Sequence, residues 1–106
     1  MSKAQRKNYN SGDYCSPVDD VLFVLNQAAG VDRLEDWGAA NANNIIDHAA
    51  RFVDGVVAPG EPDLDNQAPW IEEGRVRVSS VACDIVRQYA DNGWYGINVA
   101  EEFGGQ

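Results

Sequence analysis

Lysine disappears from this chain after Lys7, histidine occurs once, cysteine twice, and the only methionine is the first residue. Each shortage removes a class of function. Lys3, Arg6 and Lys7, three of the eight basic side chains, lie in the first seven residues, so the body is more acidic than the net charge of −9 indicates. Nucleic acid and anionic membrane are therefore not the expected partners. His48, with only Cys15 and Cys83 to help it and no Cys-x-x-Cys spacing, cannot assemble an ordinary zinc site within one chain. No apolar run approaches the roughly 18 residues of a membrane span. The start, MSKAQRKNYN, is polar and lacks the apolar region of a secretory signal, which points to a cytoplasmic protein with two free, reduced thiols. There is no Gly-x-Gly-x-x-Gly, no phosphate-cradling loop, and no Ser–His or carboxylate–His pairing, so no catalytic residue is expected.

What is present is helical periodicity. In 45–58, IIDHAARFVDGVVA, Ile45, Ile46, Ala49, Ala50, Phe52, Val53, Val56 and Val57 fall within an arc of roughly 160°. Asp47, His48, Arg51, Asp54 and Gly55 fill the other side. An arc that wide serves two neighbours, which makes this the central helix. Asn43 or Asn44 can cap its start, and Pro59 is expected to end it. His48 sits at the edge of the polar face, where a structural role is expected and not a catalytic one.

Upstream, residues 1–14 read as a flexible tail. Ser16 and Pro17 open a first helix with Asp19 and Asp20 in its first turn. Val18, Val21, Leu22, Val24, Leu25, Ala28 and Ala29 form its apolar face, Phe23 points elsewhere, and Gly30 ends it. Val31, Leu34 and Trp37 suit a short turn broken by Gly38. Downstream, residues 59–69 contain three prolines and the acids Glu61, Asp63 and Asp65, which predicts an exposed loop. The alternate acids lack the central glycine and closing glutamate of a calcium loop.

Residues 70–78, WIEEGRVRV, alternate weakly about Glu73-Gly74 and predict a small hairpin. Ser79 or Ser80 caps a third helix, roughly 81–92, whose apolar side spans about 200° and includes Cys83, expected there as a buried structural thiol. Gly93 suits its left-handed C-cap. The glycine- and aromatic-rich end, WYGINVAEEFGGQ, has no helical period. Gly104 and Gly105 suit a turn needing positive φ. The fold class is thus all-α: a small bundle of three main helices with a short hairpin, in one domain over 15–106.

The ordered residues Tyr14…Pro17-Val18…Phe23-Val24-Leu25, then Ala50-Arg51-Phe52…Val57-Ala58-Pro59, are followed by Gly74-Arg75-Val76-Arg77-Val78, by Tyr89…Gly93-Trp94-Tyr95-Gly96-Ile97, and by Glu101-Glu102-Phe103-Gly104-Gly105-Gln106. Together they resemble the N-terminal helical domain of the acyl-CoA dehydrogenase flavoprotein family, across roughly residues 14–106. One departure is Asn98-Val99-Ala100, where the family often has proline before its acidic Glu-x-Gly-Gly turn. The family continues through that turn into a β-barrel-like middle domain and a C-terminal helical bundle.

The resemblance implies an N-terminal portion of an FAD-dependent oxidoreductase that dehydrogenates acyl-CoA thioesters in fatty acid metabolism. It places the FAD contacts and the glutamate that removes the α-proton outside this chain, so no cofactor is expected on the chain alone. Its partners would be the middle and C-terminal domains, a partner chain, or a second copy. A standalone interaction module and a subunit of a split flavoenzyme are the alternatives. Trp94, Gly96 and Phe103 are the candidate substrate-pocket residues, and packing is the competing reading for each.

Overall fold

Residues 14–35 and 39–106 are described by the structure, a computed structural model. The basic residues Lys3, Arg6 and Lys7, nearly all of the predicted tail, and Trp37 and Gly38 lie outside them. Most described residues are helical, in three helical runs with one two-stranded hairpin. Contacts divide the chain into two compact units, Met1–Pro59 and Gly60–Gln106.

In the first unit, α1 covers Val18–Phe23 and runs on as a wide, π-helical turn, Val24–Ala29. Gly30 closes it at φ 67°, as its lack of a Cβ allows. Ser16 does not cap α1; Pro17 takes that position and supplies no side-chain bond. The Ser16 hydroxyl is engaged elsewhere. Its Oγ–H donates to Asp54 Oδ1 at 2.6 Å, and its backbone N–H donates to the same oxygen at 3.0 Å.

The wide turn also shifts the apolar face of this helix. Val18, Leu22 and Leu25 are half-buried as expected, but Val24, Ala28 and Ala29 are exposed, as is Val21 ahead of the turn. Asn26 is half-buried in their stead, with its Oδ1 enclosed and unpartnered. One extra residue in a turn carries the later side chains about 100° round the axis. A face drawn on a strict 3.6-residue period therefore loses its register here. Phe23 is 66% exposed, off the main face. A single 3-10 turn, Val31–Arg33, follows.

α2, Ala39–Phe52, begins before the two asparagines, so Asn43 and Asn44 lie inside the helix and do not cap it. The alanines around them are strong helix formers, which explains the earlier start. Ile45, Ile46, Ala49, Ala50, Phe52 and Val53 are half-buried, while Asp47, His48 and Arg51 are exposed. That is the face the periodicity predicts, and α1 packs against α2.

Pro59 does not end this run. A second wide turn, Val53–Val57, leads into α3, Ala58–Asn66, which passes through Pro59 and Pro62. The expected loop is therefore helical as far as Asn66. A proline lacks the N–H that would bond four residues back, and its ring crowds that carbonyl. Here the Ala58 N–H already reaches Val53 O, five residues back. Bonding has left the four-residue register before the proline arrives. Pro59 then occupies the second position of α3, within a first turn whose amides need no helical partner.

The second unit contains most of α3, a hairpin and α4. Strands β1, Trp70–Glu72, and β2, Arg75–Arg77, pair antiparallel, with Ile71 opposite Val76. Glu73 and Gly74, at φ 51° and 72°, make the two-residue turn; positive φ at both positions matches the strands' twist. α4 spans Ser80–Asp91, and Ser79 caps it: its Oγ accepts the Ala82 N–H at 3.2 Å. Gly60 lets α3 approach α4 closely, since a Cβ there would lie 2.9 Å from Ile85 Cδ1 and 3.0 Å from Val81 Cγ1.

Burial is thin. Among the described residues the buried side chains are Ala42, Ala58 and Ser79, and no large side chain is fully buried. The aliphatic faces are half-covered, not enclosed.

Asp54 corrects the sequence reading most directly, because it is half-buried and bonded where the helical period sets it on the solvent side. Asp54→Ala is expected to lower stability by about 1–3 kcal/mol, since it removes a charged acceptor from two donors. Asp47→Ala on the exposed face should stay within about 0.5 kcal/mol. Phe52→Ala, at a half-buried position, should cost about 2 kcal/mol and not the 3–5 kcal/mol of a fully enclosed ring. Urea unfolding of the three variants measures all of this; a neutral Asp54→Ala would show that the Ser16 bonds contribute nothing net.

Candidate functional site

The candidate residues lie in the last fourteen positions, which fold without strand or α-helix. α4 stops at Asp91, and Gly93 takes the left-handed conformation at φ 75°, as its position predicts. Two 3-10 turns follow, Trp94–Gly96 and Glu101–Phe103. They are tied by backbone bonds to one carbonyl: Gly96 O accepts from Val99 N–H at 3.1 Å and from Gln106 N–H at 3.0 Å. Gly105 N–H donates to Ala100 O at 3.1 Å. The segment thus closes on itself.

Glycine is required here for two different reasons. Gly104 has φ 83°, the conformation expected of it. Gly105 has no positive φ; it is glycine because a Cβ would fall on the Val99 carbonyl. Of the two, only Gly104 serves the turn in the way the sequence suggests.

Trp94 and Gly96 share one turn. Trp94 is half-buried with its indole Nε1 enclosed and unpartnered, and Gly96 is buried. Phe103 is 78% exposed, so it is not packed within this chain. An aromatic followed by two glycines gives no cue to its exposure.

Among the described residues no group of three or more His, Cys, Asp or Glu is placed to hold a metal ion. His48 is exposed on the polar face of α2. Glu61, Asp63 and Asp65 lie on α3, where Glu61 and Asp65 share a side and Asp63, about 200° away, faces oppositely. Arg87 pairs with Asp84 at 2.8 Å and Arg77 with Glu72 at 3.3 Å, both at the surface. Such pairs contribute little to stability.

Cys83 is exposed, as is Cys15, and both thiols are free. The expectation that Cys83 is buried fails for a geometric reason. Val81 and Ile85 supply the side of α4 that meets Gly60, and Cys83 lies about 200° round the helix from each of its neighbours two positions away. A 200° apolar arc is wider than that one contact can cover.

What the second unit does present is apolar surface. Ile71 and Val76 are 77% and 72% exposed as a cross-strand pair, and Val86 on α4 is 65% exposed. Tyr95, Ile97 and Val99 add to it from the terminal segment. Periodicity signals this indirectly, through the excess width of the α4 arc. The hairpin's contribution is invisible in a pattern that alternates only weakly. No helix of the described residues is long and apolar enough to cross a membrane. Compared with protein-family models, curated proteins and solved structures, the chain matches none of them.

The close approach of Gly105 to Val99 is open to test. Gly105→Ala should open the terminal segment and raise hydrogen exchange at the Gln106 and Val99 amides by at least tenfold. Gly104→Ala meets open space and only a backbone penalty of about 1–2 kcal/mol, so those amides should stay protected. Equal behaviour of the two variants would contradict the steric role of Gly105.

Proposed function

We propose that the chain is the N-terminal helical portion of an acyl-CoA dehydrogenase-like flavoprotein, in which it supplies docking surface and not chemistry. The reading joins two supports. One is the ordered set of residues, from Tyr14-through-Leu25 to Glu101-through-Gln106, that resembles the family. The other, which carries the proposal, is the set of large apolar side chains left exposed in the second unit, among them the cross-strand pair Ile71 and Val76, Val86 on α4, and Phe103. A surface of this kind marks a site where another polypeptide segment belongs. In this reading the reaction, α,β-dehydrogenation of an acyl-CoA thioester, draws its flavin contacts and its α-proton base from other domains of that family.

The split-enzyme and interaction-module readings share the docking surface and differ in what covers it. Reading the coding frame onward from Gln106 separates them. Continuation into a β-rich flavin-binding segment supports a single-chain dehydrogenase. A stop codon with a flavin-bearing partner on pull-down supports a split enzyme, and a stop codon with no flavoprotein partner overturns the flavoprotein reading altogether. The isolated chain should be colourless and leave FAD fluorescence unquenched at micromolar concentration. A stoichiometrically yellow protein would contradict the placement of the flavin contacts outside it. The same chain should brighten an apolar-surface dye while its helical circular dichroism is intact. A cooperatively folded protein that binds no dye would remove the docking surface.

A further inference from the structure

The chain has one Asn-Gly pair, Asn92-Gly93, and it lies where α4 ends and the terminal segment begins. A glycine after asparagine leaves the next backbone nitrogen open to the side-chain amide, because no Cβ stands in the way. That nitrogen can attack Asn92 Cγ. The Gly93 N–Cγ bond forms as the N–H proton passes to water, and the Cγ–Nδ2 bond breaks to release ammonia. Water then opens the cyclic imide at either carbonyl. The products are aspartate and isoaspartate, the second with its main chain rerouted through Cγ. Nothing is oxidised or reduced, and one water is consumed for each ammonia released.

Asn92 is exposed, so solvent reaches it, yet each reacting group is held. Gly93 N–H donates to Ala90 O at 2.9 Å, and Asn92 Nδ2–H donates to Gln88 O at 2.7 Å. The Asn92 ψ of −2° eclipses the Gly93 nitrogen with the nitrogen of Asn92 itself. Its Cβ then lies a third of a turn away, whereas ring closure needs Cβ and the Gly93 nitrogen on one side of the Cα–C bond. A Cβ on Gly93 would fall on Gln106 Nε2, so the Gln106 side chain lies against this glycine.

We propose that Asn92 is a deamidation site held unreactive by the C-cap of α4, and that its isoaspartate form keeps the terminal segment from closing again. The cap gives way when the end of α4 frays, and helix ends are where local opening costs least. Isoaspartate places an extra main-chain carbon between position 92 and Gly93. Gly93 then leaves the place where its carbonyl accepts Gly96 N–H at 3.0 Å and where Gln106 lies against it. Gly96 O accepts Gln106 N–H in turn, so the displacement passes into the bonds that fold the segment back. Ammonia is lost to solvent, which makes the change one-way.

Peptide mapping by mass spectrometry, on the full chain kept at mildly alkaline pH with and without urea, follows the reaction. In urea Asn92 should convert before any other asparagine and give both products; a different first asparagine would overturn the site. In native buffer the conversion should be about tenfold slower or more. Equal rates would show that the cap protects nothing. The isoaspartyl form, purified and returned to native buffer, should exchange its Gly96 and Gln106 amides about tenfold faster or more than the unaltered chain. Unchanged protection would overturn the effect on closure. Asn92→Asp keeps the main chain intact and should leave those amides within about threefold of the unaltered chain. Opening equal to that of the isoaspartyl form would place the effect in the side chain and contradict the main-chain account.

Discussion

Asp54 fastens the start of the first helix to the long helical run, the one side-chain tie among the hydrogen bonds described that joins distant parts of the first unit. One carboxylate oxygen takes both the backbone N–H and the hydroxyl of Ser16, residues 38 apart in sequence. A carboxylate acceptor makes these stronger than neutral hydrogen bonds. They matter more here because little else encloses the pair of helices. The buried apolar side chains among the described residues are two alanines, Ala42 and Ala58. With so small an enclosed core, a pair of charge-assisted bonds is a large share of what sets α1 against α2.

The same thinness explains how the chain uses its apolar residues. Ile45, Ile46, Phe52 and Val53 are half-covered, enough to orient the helices without closing a core around them. In the second unit the hairpin and α4 each keep an apolar side open, at Ile71 and Val76 and at Val86. A two-stranded hairpin is marginal by itself, so its exposed pair and the uncovered side of α4 pose the same need for a neighbour. The docking reading answers that need.

The ends of the helical elements show how irregular backbone is placed where it can be tolerated. Gly30, Gly74, Gly93 and Gly104, together with Glu73, carry the positive φ values among the described residues, and each marks a reversal or a stop. Wide turns occur within both helices of the first unit. In each, a polar side chain is turned inward. Asp54 finds Ser16, whereas the Asn26 Oδ1 remains enclosed without a bond. The first outcome fastens the structure and the second is a local expense.

Local pattern by itself indicated three helical stretches, though not the bounds of the middle one, the hairpin turn at Glu73-Gly74, a serine cap at Ser79 or Ser80, the stops at Gly30 and Gly93, and the exposed side of α2 with His48 on it. Each of these follows from residues within a turn or two of one another, where backbone sterics and the 3.6-residue period act directly. The tertiary structure alone decided that Pro59 is passed over, that Asp54 meets Ser16, that Cys83 and Phe103 face solvent, and that Gly105 is needed against the Val99 carbonyl. Those outcomes depend on which distant backbone or side chain arrives beside a residue, and on where a helix slips its register by one bond. Neither is encoded in the spacing of neighbours along the chain. The candidate residues divide the same way: Trp94 and Gly96 are joined by a local turn, and the placing of Phe103 waited on the closure of the terminal segment around Gly96.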